Sequence, residues 1–220
     1  MQLLAINGSP RGKKSNSRII LKSITSGAES VENWRTDTIY LNQVSSYEER
    51  IASITIADVI LLIFPLYTDS MPGIVMKFIE VLQNNRECIA QKKIGFIIQS
   101  GFPERHHSVF IQKYFIKLAQ KLDCCYIGSA ILGGIEGIQN SSKEEFEEYD
   151  ILFTEIGRMI VSEGKIEEEM FDSIKGPYKF PRWVAFLFKY IMKLKKGQSF
   201  WDNQLKTNNA YEQRFERPYE

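Results

Sequence analysis

The loop GSPRGKKSNS (residues 8–17) connects the apolar run Gln2–Asn7 to a stretch of helical periodicity that begins near Ser15. A loop between a strand and a helix builds an anion site, because the helix N-terminus leaves backbone N–H groups without partners and carries the positive end of the helix dipole. Hydroxyl groups and a guanidinium add donors for phosphate oxygens. We therefore predict a phosphate site formed by Ser9, Arg11, Ser15, Asn16 and Ser17. The alternative is an ordinary polar loop with a serine cap.

Two well-known phosphate loops do not match this stretch. A Walker A loop that starts at Gly8 requires glycine where Lys13 stands. The dinucleotide fingerprint G-x-G-x-x-G fails because Pro10 occupies the position of its second glycine. The loop instead resembles the phosphate loop of the flavodoxin-like NAD(P)H-dependent FMN reductases, whose pattern is roughly Gly-Ser-Pro-Arg, a short gap, and then Ser-Asn-Ser or Ser-Asn-Thr.

Two later loops also resemble segments of that family. The loop Pro65–Pro72 follows the apolar run Val59–Phe64, which is typical of a strand buried on both faces of a parallel sheet. It matches the flavin-ring segment Pro-x-Tyr-x-x-x-x-Pro, although a loop with a core tyrosine is the alternative. The loop Ser100–Glu104 follows the strand-like run Lys93–Gln99, and its small Ser-Gly pair lets backbone approach a ligand closely. We expect the flavin ring to be bordered by Pro65, Leu66, Tyr67, Thr68, Asp69, Ser70, Ser100, Gly101 and Phe102.

The order of the units along the chain predicts the fold. Ligand-type loops follow the first, third and fourth of five strand-and-helix units, the last of which ends with a helix over Lys143–Glu163. These three strands are neighbours in a flavodoxin-like sheet of order 2-1-3-4-5, so their loops converge. We therefore predict an α/β, doubly wound, five-stranded parallel sheet in an FMN-binding domain over residues 1–165. Whether the turn Gly133–Gly137 borders the flavin, borders a second subunit or is a plain loop is open.

Histidines and cysteines form no metal-binding or catalytic pattern. We expect a helix to begin near Glu104, with His106 and His107 one turn into it as polar surface, without acidic or cysteine partners at motif spacing. Cys124 and Cys125 open the fifth strand, and we favour buried or edge positions over a redox pair, since adjacent cysteines bridge only with a strained peptide. The compact cysteine cluster of some family members is missing, which argues against an iron–sulfur centre. No metal ligand is predicted.

Residues 166–220 form a predicted helical extension of aromatic and basic character. Over residues 183–196, apolar residues occupy one helix face, and Lys189, Lys193 and Lys196 another. This stretch is far shorter than the ~20 apolar residues that a bilayer span requires. A basic amphipathic helix lies on a membrane surface or docks on protein. We favour docking on its own domain or on a second subunit, since the extension would then cover apolar surface.

Composition excludes some classes of function. The 28 basic and 27 acidic side chains give a net charge of +1, so there is no global electrostatic reason to expect nucleic-acid binding. The N-terminus enters a strand at once, without the basic region and cleavage site of a signal peptide, and we expect a cytoplasmic protein.

The family resemblance implies an FMN-dependent NAD(P)H oxidoreductase that passes a hydride from reduced nicotinamide through FMN to a small acceptor, such as a flavin or a quinone. The co-substrate would be NADPH or NADH, and the protein would be a homodimer. Because the flavin carries the chemistry, no catalytic side chain is expected. Two alternatives are a flavodoxin-like electron carrier, which the near-zero net charge does not favour, and a non-enzymatic binding protein with the same fold.

Overall fold

The computed structural model describes residues 1–67, 70–191 and 195–217. The chain divides into two compact units, Met1–Tyr178 and Lys179–Glu220. The first unit extends beyond residue 165, where we expected the extension to begin. Ile166 and Phe171 are buried in its core, so residues 166–178 pack with the sheet domain.

One parallel sheet of five strands organises the first unit. The strands are β1 (Gln2–Asn7), β2 (Arg35–Tyr40), β3 (Val59–Pro65), β4 (Lys93–Ser100) and β5 (Cys125–Gly133). Their order is β2-β1-β3-β4-β5, and each neighbouring pair is parallel. The predicted sheet order is therefore confirmed. The central strand β3 reads VILLIFP and is buried along its first six residues, as expected for a strand covered on both faces.

Helices cover both faces of this sheet. Among the described residues of the first unit they are α1 (Asn16–Glu29), α2 (Ile51–Ile56), α3 (Gly73–Asn84), α4 (Arg86–Ile89), α5 (Phe110–Lys121) and α6 (Lys143–Glu163). Helices α2 to α5 contribute to the core on one face, and α1 and α6 to the core on the other. The second unit contains α7 (Arg182–Ile191) and α8 (Lys195–Thr207). The predicted C-terminal helical extension is confirmed, while Lys193 lies outside the described residues.

Helices α1 and α6 meet backbone to backbone. A Cβ atom on Gly27 of α1 would overlap the carbonyl oxygen of Thr154, and a Cβ atom on Gly157 of α6 would overlap that of Ile24. Glycine at both positions lets the two helices approach closely enough to share one buried core. Because α1 begins at the loop of residues 8–17, this contact also positions the loop.

Cys124 and Cys125 lie at the edge strand β5, which begins at Cys125. Cys124 is partly buried, and its thiol donates to the carbonyl oxygen of Ile89 with an Sγ–O distance of 3.3 Å. Burial, assisted by the neighbouring Cys125 and Asp123, raises the pKa of Cys124 to about 11. Cys125 is exposed, and both thiols are free. The two cysteines are thus unlike in environment and are not bridged.

We expect Gly157→Ala to lower the free energy of unfolding by about 1–3 kcal/mol, because the added methyl group would force α1 and α6 apart. Urea denaturation at equilibrium measures this change. Gly73→Ala is the matched control, since nothing lies within 4 Å of a Cβ atom at that position. Equal stability of Gly157→Ala and the wild type would show that the helix contact does not require glycine.

We expect iodoacetamide to modify Cys125 readily at pH 8 and Cys124 very slowly. A pKa of about 11 leaves roughly one Cys124 thiol in a thousand ionised at that pH, and the thiolate is the reactive form. Labelling rates of Cys88→Ser/Cys125→Ser and of Cys88→Ser/Cys124→Ser compare the two thiols. The Cys124 rate should rise about tenfold per pH unit up to pH 10. Rapid labelling of Cys124 at pH 8 would contradict the buried, neutral thiol.

Candidate functional site

A cavity of about 200 Å³ lies at the carboxyl ends of β1, β3 and β4. It is lined by Ser9, Arg11, Ser15, Asn16, Pro65, Leu66, Tyr67, Gln99, Ser100, Gly101, Ile135 and Glu136. All three predicted loops contribute to this lining, as neighbouring parallel strands require. Of the other predicted site residues, Ser17, Ser70 and Phe102 do not line the cavity, and Thr68 and Asp69 lie outside the described residues.

Buried hydrogen bonds hold the first loop in shape. The Asn7 side chain accepts from the N–H of Ser9 at 2.9 Å and donates to Ser15 Oγ at 3.2 Å. Ser15 caps α1, since its Oγ accepts from the N–H of Arg18 at 3.2 Å and donates to the carbonyl oxygen of Gly12 at 2.5 Å. The hydroxyl of Ser15 is therefore used within the loop. Asn7 was not predicted to contribute to the site, because in the sequence it is only the last residue of the run Gln2–Asn7.

The first turn of α1 keeps two backbone donors available. The N–H groups of Asn16 and Ser17 have no carbonyl partner within α1, and neither bonds to another described residue. Arg11 is exposed and is the one cationic side chain among the described residues that line the cavity. Helix-terminal donors beside a guanidinium form a site that fits a phosphate group.

Asn16 has a defined orientation and a partnerless acceptor. Its Nδ2 donates to the carbonyl oxygens of Ile135 and Glu136, each at 3.1 Å, and exchanging Oδ1 with Nδ2 would set an oxygen against two oxygens. Its Oδ1 is buried and has no hydrogen-bond partner in the described part of the chain. A buried acceptor without a partner is costly, so the site fits a ligand that brings an O–H or N–H donor. The turn Gly133–Gly137, whose role the sequence left open, thus orients Asn16 in the cavity.

Ser17 acts on the cavity through Gln99. Ser17 is fully buried, and its Oγ accepts from Gln99 Nε2 at 2.6 Å. Gln99 is also buried and lines the cavity, although it was not among the predicted site residues. A glutamine that closes the apolar run of β4 is a signal that would have identified it, since a polar group at the end of a buried strand requires a partner.

Hydrogen bonds hold both ends of the loop after β3. The N–H of Leu66 donates to the carbonyl oxygen of Gln99 at 2.7 Å, which joins this loop to β4. The backbones of Tyr67 and Ser70 bond to each other in both directions, at 3.0 and 3.1 Å. Tyr67 is half-exposed at the cavity, whereas Ser70 is exposed and bonds to Tyr67 through its backbone.

The loop after β4 brings backbone close to the cavity. A Cβ atom on Gly101 would lie 2.5 Å from Glu136 Oε2, so glycine keeps the space between the two loops open. The N–H groups of Gly101 and Phe102 have no acceptor among the described residues. Phe102 itself is not among the lining residues: it is 62% exposed, and its ring lies near that of His107, with 5.4 Å between ring centroids.

The helix expected to begin near Glu104 begins at Phe110. Residues 105–107 form a 3-10 turn instead, and the N–H groups of Arg105 and His106 donate to the carbonyl oxygens of Pro177 and Tyr178, each at 3.0 Å. These partners lie about seventy residues further along the chain, where spacing rules do not reach.

The two histidines have partners that were not predicted. His106 is only partly exposed, and its Nδ1 lies 3.2 Å from the carbonyl oxygen of Tyr178. His107 Nε2 lies 3.6 Å from Glu104 Oε2, so an acidic partner is present after all. Arg105, which precedes them, is buried and pairs with Glu168. The turn is thus anchored to residues 168–178, and neither histidine lines the cavity.

The family model for the flavodoxin-like fold matches residues 1–149 of this chain. Among curated proteins, no sequence matches the chain. Structural similarity is found to an NADPH-quinone reductase from P. pentosaceus, with 15% identity, a TM-score of 0.53, and coverage of 70% of this chain and 96% of that one.

Two further solved structures are similar. An apo form of an NADH:FMN oxidoreductase has 14% identity and a TM-score of 0.56, over 83% of this chain and 98% of that one. A flavone reductase has 16% identity and a TM-score of 0.59, over 74% and 62% of the respective chains. At these identities the likeness concerns the fold. Because the family model matches more than half of the chain, and the sheet order agrees with it, this chain belongs to the family with the flavodoxin-like fold.

Proposed function

We propose that the protein is an FMN-dependent NAD(P)H oxidoreductase that reduces a small acceptor. The observation that carries this proposal is the convergence of three loops on one cavity that combines helix-terminal donors and a guanidinium with apolar and aromatic side chains. The names of the similar structures, which include a quinone reductase and an FMN oxidoreductase, agree with this proposal. NADPH or NADH as co-substrate and a homodimeric state are part of the proposal.

The donors at α1 fit the phosphate end of FMN. We assign the phosphate contacts to Arg11, to the hydroxyl of Ser9 and to the N–H groups of Asn16 and Ser17. The hydroxyls of Ser15 and Ser17 are engaged within the protein and serve to shape the site. Asn16 Oδ1 would accept a hydrogen bond from a ribityl hydroxyl, because this cavity acceptor is buried and has no partner among the described residues.

The other two loops fit the ring. Leu66 and Tyr67 supply apolar and aromatic contact, and the N–H groups of Gly101 and Phe102, which have no acceptor among the residues that the structure describes, supply donors. When bound, FMN accepts a hydride from reduced nicotinamide and passes the electrons on. The protein positions the ring, and its backbone donors stabilise negative charge that develops on the ring nitrogens and oxygens. No lining side chain has to transfer a proton for this role.

We expect the protein, purified or reconstituted with FMN, to show a flavin absorbance spectrum that bleaches on anaerobic addition of NADPH or NADH. The physical reason is the combination of phosphate and ring contacts in one cavity. Chromatography of the released cofactor identifies it. FMN that stays oxidised with both nucleotides would indicate an electron carrier, and failure to bind FMN would favour a non-enzymatic binding protein.

We expect Arg11→Gln to weaken FMN binding about tenfold or more and to leave riboflavin binding nearly unchanged, because a charge-assisted hydrogen bond to phosphate contributes about 1.5–3 kcal/mol. Fluorescence quenching titrations with the two flavins measure this difference. Lys14→Gln is the matched control, since Lys14 is an exposed cation of the same loop that does not line the cavity. An equal loss of riboflavin affinity would place Arg11 away from the phosphate.

A further inference from the structure

The second unit carries a segment of strongly uneven charge. Between Lys179 and Trp201 the chain contains six lysines and arginines and no aspartate or glutamate, whereas the whole chain has a net charge of only +1. A segment of this kind has no acidic side chain of its own to neutralise its charge. It is therefore attracted to anionic surfaces within the range of about 8 Å over which charge acts at physiological salt.

Helix α7, in the middle of this segment, presents an apolar face. Large apolar side chains recur at intervals of three and four residues, which places them on one side of a helix. They are Trp183, Phe186, Leu187, Tyr190 and Ile191, and each is between 41% and 67% exposed. The unit to which α7 belongs therefore leaves this face uncovered. The rings of Phe186 and Tyr190 pack against each other, with 4.9 Å between centroids, and form a continuous aromatic surface.

The length of α7 excludes a bilayer crossing by this helix. It has ten residues, which at about 1.5 Å per residue reach roughly half of a hydrocarbon core about 30 Å thick. No helix among the described residues is long and apolar enough to span a membrane. A short amphipathic helix with aromatic residues and basic flanks is suited to lie in the plane of the interface.

We propose that α7 binds the surface of anionic membranes. The aromatic face of α7 enters the boundary between headgroups and acyl chains, where tryptophan and tyrosine rings are favoured. The basic residues of the segment supply attraction to anionic headgroups. This proposal rests on the second unit alone and does not depend on the proposed FMN chemistry.

Charge complementarity favours a lipid surface over a second copy of the chain. Two copies that met through α7 would bring two segments with six cations each into proximity, and neither segment carries an acidic residue to compensate. An anionic bilayer supplies the missing negative charge over a wide surface. It also accommodates apolar side chains at the same depth, so one surface meets both requirements.

Sedimentation with phosphatidylcholine vesicles, prepared with and without phosphatidylserine, tests the proposal on the full chain. We expect binding to the vesicles that contain phosphatidylserine, little binding to pure phosphatidylcholine, and release as the salt concentration rises. Trp183→Ser/Phe186→Ser should weaken binding about tenfold or more, because it removes two apolar contacts. Lys179→Gln/Arg182→Gln should also weaken binding about tenfold and reduce its salt dependence.

The matched control is Phe110→Ser/Ile151→Ser, which removes exposed apolar side chains of the first unit that are 73% and 71% exposed. This variant should bind like the wild type, and circular dichroism reports whether each variant folds. Failure of the wild type to bind either vesicle would overturn the proposal, as would unchanged binding by folded Trp183→Ser/Phe186→Ser. A dimer in sedimentation equilibrium that this variant dissociates, without vesicle binding, would make α7 a subunit interface instead.

Discussion

The candidate site depends on the hydrogen bonds that cap α1 from inside the loop. Asn7 bonds to Ser9 and Ser15, and Ser15 in turn bonds to Gly12 and Arg18, so the side chains of this buried cluster satisfy one another. Because these side chains already have hydrogen-bond partners within the loop, they are not needed to bind a ligand. What remains open at the helix start is the pair of N–H groups of Asn16 and Ser17. The loop thus separates the groups that give it shape from the groups that can bind.

The C-terminal part of α1 is fixed by its contact with α6. Gly27 and Gly157 let α1 and α6 approach until a side-chain carbon at either position would meet a backbone carbonyl. Residues 135–140, which precede α6, supply the two carbonyl oxygens that orient Asn16. The contact with α6 therefore decides how closely α1 approaches that helix, and the segment of residues 135–140 decides which atom of Asn16 faces the cavity without a partner among the described residues. The cavity lies at the carboxyl ends of the strands, and the connection between β5 and α6 orients Asn16 within it.

Much of the fold could be predicted because its signals are local. The buried run of β3 and the periodicities of α1 and α6 identify their elements without reference to any partner. The turn at residues 105–107 could not be predicted, since it is anchored by backbone bonds to Pro177 and Tyr178, which are distant in sequence. The end of the first unit was missed for a related reason. The carbonyl of Ile166 fills the space beside Gly128. Neither the sequence around Gly128 nor that around Ile166 indicates this contact by itself. Of the site, the three loops were predictable, and a polar residue at the end of a buried run marked Gln99, but its bond to Ser17 joins two distant segments and could not be read from either.

The net charge of the whole chain is a weak guide to its binding partners, because individual segments differ in charge. A net charge of +1 argues against partners that respond to the field of the entire molecule. At physiological salt, however, a charge acts over only about 8 Å, so a surface responds to the segment that faces it. Between Lys179 and Trp201 that segment is uniformly basic, and the excess of acidic groups that balances it lies elsewhere in the chain. Electrostatic arguments about partners therefore have to be made one unit at a time, with the exposed apolar surface of the same unit considered beside its charge.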